Sequence, residues 1–374
     1  MRRRGVGACL LFDPINVRFA TGTRNMQVWH MHATGRHALV PAEGRAVLYE
    51  FGGCEYQSVG IEAIAEVRVT PTLYYFAAGP RLAENKRRWA AEIAELVRQL
   101  SAGNRSIAVD RIGVEEIEHL RGHGYVLVPA EELVEQARAV KSADEIACLA
   151  AAVSVCEAGM ARMREALRPG ITENELWSLL HQTNIARGGE WIETRLLSSG
   201  PRTFPWFQEC SDRAIEAGDL VTFDTDMVGP FGYLADIART YHCGPGRPTD
   251  AQRRLYQLAH EQLLRNLERV RPGAAFREIA EHAWTAPPEY QTRYNATLLH
   301  GVGMVDEYPR VPYPGGWAAS GYDGVLEENM SVSVHSYLAA PDRREAVMLE
   351  DQVVVTATGH RPLSTFPFEE ELLR

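Results

Sequence analysis

A chain of 374 residues with 45% hydrophobic content is long enough to bury a sizeable core and to form two domains. Its 39 basic and 49 acidic residues leave a net charge of -10 and a pI of about 5.7. That balance excludes nucleic acid as the main partner, because phosphate binding needs a basic face. Cys9, Cys54, Cys148, Cys156, Cys210 and Cys243 are scattered, the pattern of reduced core cysteines rather than of a disulfide framework.

The basic start Met1-Arg2-Arg3-Arg4 has the look of a signal peptide's charged end. The apolar run from Val6 to Phe12 is short, however, and no small-residue cleavage site follows it. No stretch approaches the roughly 20 apolar residues that span a bilayer, so a soluble, cytoplasmic protein with no membrane partner is expected. Gly7 to Phe12 reads as a buried strand, Asp13 to Asn16 as a turn, and Val17 to Thr21 as the strand's continuation. His37 to Pro41 and Ala46 to Phe51 form a hairpin pattern around Glu43-Gly44. A helix is predicted over Glu84 to Leu100, with Trp89, Ile93, Leu96, Val97 and Leu100 on one stripe. Strand, short helix and strand follow at Ser106 to Asp110, Val114 to Arg121 and Tyr125 to Pro129. The alternation predicts an α/β domain over residues 1–140. Trp29, His30 and His32 lie in a polar stretch that reads equally as a ligand contact and as an interface loop.

Residues 141–374 form the second predicted domain. Ser142 and Glu145 make a capping box for a helix from Glu145 to Leu167, which Arg168-Pro169-Gly170 ends before another helix starts at Thr172. The layout returns about a hundred residues on: a helix from Ala251 to Val270, Arg271-Pro272-Gly273, and a helix from Phe276. This predicts a duplicated half-domain whose copies contribute strands to a shared sheet, with a site between the copies.

The stretch Val221 to Tyr241 reads as a hairpin. An apolar strand ends in Asp224 and Asp226, Gly229-Pro230 turns the chain, and the returning strand carries Asp236. Alternation along a strand places Asp224 and Asp226 on one face. Three carboxylates gathered in one place require a cation. The second copy supplies partners: His300 before a Gly-rich turn, His335 on the inner face of Met330 to His335, and Glu350 inside the apolar run Val347 to Val355. A carboxylate in such a run is poorly solvated and needs a counter-charge. Together Asp224, Asp226, Asp236, His300, His335 and Glu350 point to a metal centre.

The order Asp226, Asp236, His300 with Gly301-x-Gly303, position 335 and Glu350 resembles the pita-bread metalloenzymes: methionine aminopeptidase, prolidase and creatinase. The resemblance implies an α+β chain with an N-terminal creatinase-like domain and a C-terminal pita-bread domain carrying a pseudo-twofold repeat. It also implies a homodimer and a centre of two divalent transition-metal ions, with iron, zinc, manganese, cobalt and nickel not distinguished. Asp236 and Glu350 would bridge the ions, Asp224 and Asp226 would serve one, and His300 the other. Longer strings, Gly188 to Leu197, Ser199 to Thr203, Pro205 to Cys210, Phe223 to Asp226, Asp13 to Thr21 and Asn25-Met26-Gln27, are similar to the DddP-type dimethylsulfoniopropionate lyases. That likeness implies elimination of dimethyl sulfide from a small carboxylate, with Asp306 as the base and the metals on the substrate carboxylate. A cationic sulfonium favours aromatic faces, and Trp29, Trp191, Trp206, Phe207, Tyr294 and Tyr322 are the candidates, each of which packing alone also explains.

The chain departs from that family at two places. Where the family has a glutamate ligand, this chain has His335, which removes a negative charge and adds a nitrogen donor suited to borderline metals. Where the lyases have a substrate-site tyrosine, it has Asn295, with Tyr294 displaced by one. Two other functions compete: a metallohydrolase of Xaa-Pro peptides or small cyclic amides, and a metal-poor binding paralogue.

Overall fold

The computed structural model describes residues 1–293 and 296–374. Tyr294 and Asn295, including the Tyr294 proposed above as a substrate contact, lie outside the described residues. The chain divides into two compact units, Met1–Ala137 and Arg138–Arg374.

In the first unit, strands β1 (Ala8–Leu11), β2 (His37–Pro41), β3 (Ala46–Glu50), β4 (Ile64–Val69), β5 (Ser106–Val109) and β6 (Val126–Pro129) form one sheet in the order β4-β3-β2-β1-β5-β6. The β2–β3 hairpin is antiparallel, whereas β1, β5 and β6 run parallel. The helix Leu82–Leu100 lays Trp89, Ile93 and Val97 on Leu10, Leu39, Tyr49 and Ile107. One local expectation fails. Pro14–Thr21 is a helix, not a strand, because the Asp13 carboxylate accepts from the Ile15 and Asn16 amides and Pro14 fits the first helical position.

The second unit repeats itself. Ser142 and Glu145 form the capping box of the helix Ala143–Ala166, and Thr172 with Glu175 that of Glu173–Ala186. Gly170 (φ 90°) donates its amide to Ile215 O, and Thr172 bridges Ala214. In the second copy Gly273 (φ 76°) donates to Leu326 O, and Ala275 bridges Val325. The helices Asp250–Leu267 and Phe276–Glu281 take the corresponding places. Both glycines sit in the left-handed region that favours glycine, so each Arg-Pro-Gly makes the same turn just beyond the end of its helix.

Contrary to expectation, one helix, Ala143–Ala166, is long and apolar enough to cross a membrane by length and composition. Its apolarity is spread over small residues, and it packs Leu149, Val153, Cys156, Met160 and Met163 into the core beside Trp177 and Leu180.

Strands β7 (Trp191–Ile192), β8 (Leu197–Ser199), β9 (Leu220–Asp224), β10 (Met227–Val228), β11 (Leu234–Ala235) and β12 (Ala238–His242) belong to the first copy. Strands β13 (Thr297–Val302), β14 (Asp306–Pro312), β15 (Ser331–Ala339), β16 (Ala346–Val355) and β17 (His360–Pro362) belong to the second. Among the described residues they do not form the single shared sheet that the repeat predicted. β12-β9-β8 and β14-β13-β15-β16-β17 are separate. Threonine hydroxyls join them: Thr240 Oγ1 donates to Met348 O and accepts from Met348 N.

Candidate metal centre

The acidic hairpin is a double one. β9 pairs with β12 and ends at Asp224; the chain then breaks, and β10 pairs with β11 in a different sheet. Asp226 lies in the break with φ 33°, so strand alternation does not relate it to Asp224 as the sequence reading supposed. The Thr225 hydroxyl holds the gap closed, donating to Ala235 O and accepting from Ile237 N at 3.0 Å. That pins Asp236 opposite the break. The strand reading failed there because no periodic signal announces a left-handed aspartate.

Second-copy residues converge on the same point. His300, His335 and Glu350 lie on β13, β15 and β16, which are neighbours in the sheet, and His335 faces Glu350 directly in register. His300 Nε2 is 3.2 Å from Asp236 Oδ2 and 3.7 Å from Glu350 Oε1, and His335 Nε2 is 2.9 Å from Glu350 Oε1. Donor atoms of Asp236, His300, His335 and Glu350 all lie within 4.8 Å of one another, and all four residues are buried. Asp226, Asp236 and Asp306 form a second such group that shares Asp236. Asp224 is in neither group and Glu350 joins only the first, although the Asp224 and Asp226 carboxylates both act on Glu350 through their charge.

Burial and then mutual repulsion push Asp224, Asp236 and Glu350 well above the usual carboxylate range. Asp226 is raised to about 6 by burial and then by Asp306. Burial also works against charge on His300, but the Asp306 and Asp236 carboxylates outweigh it and raise that imidazole to about 10. Burial and then the neighbouring His300 hold His335 well below its usual value. Asp224 Oδ1, Asp236 Oδ1 and Glu350 Oε2 are buried without a hydrogen-bond donor among the described residues. Burying oxygens in this way is costly unless a cation takes their lone pairs. Two imidazoles and several buried carboxylates are a donor set that fits a divalent metal ion.

Supporting groups fix these ligands. Thr194 Oγ1 donates to Asp226 Oδ2 at 2.7 Å, and the Asp236 amide donates to Gln352 Oε1 at 3.2 Å. Ser333 Oγ donates to Asp236 O and the Tyr313 hydroxyl to His335 O. The sequence reading missed all of them. Ser333 and Gln352 were legible, each standing two residues from His335 or Glu350 and therefore on the same strand face. Thr194 carries no such signal.

Asp306 begins β14, opposite Val302, with a 55% exposed side chain and Oδ1 3.5 Å from His300 Nδ1. The residue after it, Glu307, is fully buried between Arg138, at 3.0 Å, and Lys141. The aromatic candidates have mixed surroundings. Trp191 packs against the cluster of Val228, Leu234 and Val302, and Tyr322 stacks on Tyr308 while its hydroxyl accepts from the Arg310 amide. Trp206 is buried on Tyr337 and Phe207 is exposed. Trp29 belongs to the first unit, beside His32 and Phe76.

A two-copy fold with buried carboxylates and imidazoles between the copies defines a metallohydrolase-type scaffold, and residues 147–357 match metallopeptidase family M24. The protein is 38% identical over 375 residues to dimethylsulfoniopropionate lyase DddP of Roseovarius nubinhibens, covering 99% of this chain and 84% of that one. It is 35% identical to dimethylsulfoniopropionate lyase DddP of Roseobacter denitrificans, with the same coverage. The prolidase of Pyrococcus horikoshii OT3 shares the fold, with a TM-score of 0.78 and 22% identity over 99% of this chain and 96% of that one. The chain belongs to metallopeptidase family M24 and, within it, to the DddP-type group. It is an enzyme, and the resemblance read from its strings is borne out.

Proposed function

We propose that this enzyme is a metal-dependent carbon–sulfur lyase that converts dimethylsulfoniopropionate, or a close onium analogue, to dimethyl sulfide and acrylate. The observation that carries the reading is the near-full-length likeness to two dimethylsulfoniopropionate lyases, in a chain whose buried acids and imidazoles converge at one point. Asp224, Asp226, Asp236, His300, His335 and Glu350 would hold the metal. A bound divalent ion supplies Lewis acidity to the substrate carboxylate, where enolate charge develops.

The chain's own groups do the rest. Asp306 is accessible on the rim of the cluster, and its carboxylate takes the proton from the carbon next to the substrate carboxylate. The electron pair of that C–H bond becomes the C=C bond of acrylate. The C–S pair leaves with sulfur, so the sulfonium departs as a neutral thioether. Aromatic faces favour the cationic substrate over the neutral product. Tyr322 is a candidate for this, since its hydroxyl is tied to the hairpin that carries Asp306, and Trp191 is another, packed on the cluster of Val228, Leu234 and Val302.

The reading includes a cytoplasmic homodimer. Six free cysteines support the compartment. Exposed Met26, Val28, Tyr75 and Phe76 around Trp29 supply an apolar surface for a second copy. Side-by-side turnover of dimethylsulfoniopropionate and of an Ala-Pro dipeptide by zinc-, iron- and manganese-loaded protein tests the function. Sulfide release with an inert dipeptide is expected; dipeptide cleavage without sulfide release refutes it.

A further inference from the structure

We propose that Arg239 is a positioning residue of the centre, through which the segment 363–373 sets the affinity for the metal ion from the far side of the sheet. This rests on the reading of Asp236, His300, His335 and Glu350 as metal ligands.

Glu350 lies on β16, whose edge away from β15 is only partly covered. β17 pairs with Val353, Val354 and Val355 and goes no further. Backbone carbonyls on a buried edge need donors. Three alternate ones find them outside the sheet. Thr240 Oγ1 donates to Met348 O, Arg239 Nη1 to Glu350 O at 2.7 Å, and the Leu363 amide to Gln352 O at 3.0 Å. Side chains of β12 and the segment beyond β17 thus stand in for a strand. The middle carbonyl of the three belongs to a candidate ligand.

Arg239 does more than fill that place. It is 1% exposed and stands three residues after Asp236. Its Nη2 donates to Asp351 Oδ1 at 2.7 Å and to Phe366 O at 2.9 Å, and the guanidinium carbon lies 4.3 Å from the centroid of the Phe368 ring. Asp351 follows Glu350 on the strand and so points to the opposite face. One planar fork therefore joins the strand after Asp236, the backbone of Glu350 and the segment behind it. That segment is itself fixed to both copies. Glu157, on the helix Ala143–Ala166, accepts from the Ser364 hydroxyl and the Thr365 amide, while Tyr256, on the helix Asp250–Leu267, accepts from the Glu369 amide. Asp351 alone would balance the charge of a buried arginine. The donation to Glu350 O places that charge directly behind a ligand.

Cobalt binding to protein freed of metal by chelation, read by visible absorption and equilibrium dialysis, tests this. Arg239→Lys keeps the charge and loses the fork, and Phe368→Ala removes the aromatic face beside it. Each should raise the cobalt Kd by roughly 10–100-fold and shift the absorption bands. Leu326→Ala, a fully buried change beside the turn at Gly273, should lower the unfolding midpoint yet leave Kd and spectrum as in wild type. Coupling is reciprocal, so cobalt should slow hydrogen exchange over residues 363–373 of the wild-type protein by a similar factor. Phe368 is half-buried, so its variant remains informative where Arg239→Lys does not fold. A wild-type Kd and spectrum in Phe368→Ala, an equal loss of affinity in Leu326→Ala, or exchange in the segment that ignores cobalt overturns the proposal. If the coupling is found and no dimethyl sulfide is released, this inference stands and the lyase reading falls. Wild-type protein that takes up no cobalt overturns the centre and this inference together.

Discussion

Asp226 occupies left-handed backbone at φ 33°, and the Thr194 hydroxyl keeps its carboxylate aimed at Asp236 and Asp306. Groups that orient a metal ligand govern affinity without touching the ion. Thr194→Val should therefore weaken metal binding about 10–100-fold while leaving the fold intact, as checked by equilibrium dialysis and circular dichroism. A second residue-scale prediction concerns His37. It is fully buried between Phe12 and Tyr49, accepts from Trp89 Nε1 at 3.0 Å, and contacts Gly35 O at 2.9 Å. Burial lowers its pKa from 6.5 to about 3. Between those values the unfolded chain binds the proton and the folded one does not. The stabilising effect is thus complete above pH 6.5 and is lost as pH falls toward 3, by about 1.4 kcal/mol per unit at most. Urea unfolding of wild type and His37→Gln at several pH values should show the difference between the two proteins changing with this slope. A pH-independent difference would contradict it.

The hairpin β13–β14 is the element that joins the centre to the base. β13 carries His300, β14 begins at Asp306, and Glu307 pairs with Gly301 across the bulge between them. Glu307 anchors that hairpin by its buried ion pairs with Arg138 and Lys141. Replacing Glu307 by Leu strands two buried cations, and a loss of about 3–5 kcal/mol is expected in denaturant unfolding. Elements of this kind were only partly legible in the sequence. Strands with a clear alternation or apolar run, such as β15 and β16, read correctly because burial on one face imposes a period. The helix Pro14–Thr21 did not, since its Asp13 cap and Pro14 also fit a turn. Strand β4 was missed because only Ile64 is fully buried on it, so no apolar pattern marks it. Six acids and imidazoles were legible as a set through the repeat, but the two groups into which five of them fall, one completed by Asp306, were not. That division depends on where Asp226 leaves the strand and on the diagonal approach of His300 and His335, whose ring centroids are 4.8 Å apart.

At the scale of the molecule, the centre ties the two copies of the second unit together, with Asp236 from the first and His300, His335 and Glu350 from the second. Without a cation, these carboxylates repel one another across the junction, so a bound ion stabilises the unit as well as the reaction. Chelation should lower the unfolding midpoint, with the loss near 2.7 kcal/mol when the ion had been present at about 100 times its Kd. Calorimetry with and without chelator checks this, and an unchanged midpoint would contradict the account of the junction. The central claim is elimination at a metal-held carboxylate with Asp306 as base. Its most direct test is proton NMR of dimethylsulfoniopropionate incubated with metal-loaded protein, beside Asp306→Asn loaded identically. The account predicts acrylate vinyl signals and dimethyl sulfide in equal amounts from wild type, and at least about a hundredfold slower formation by the variant. Unchanged substrate in the wild-type sample, or an equally fast variant, would contradict it.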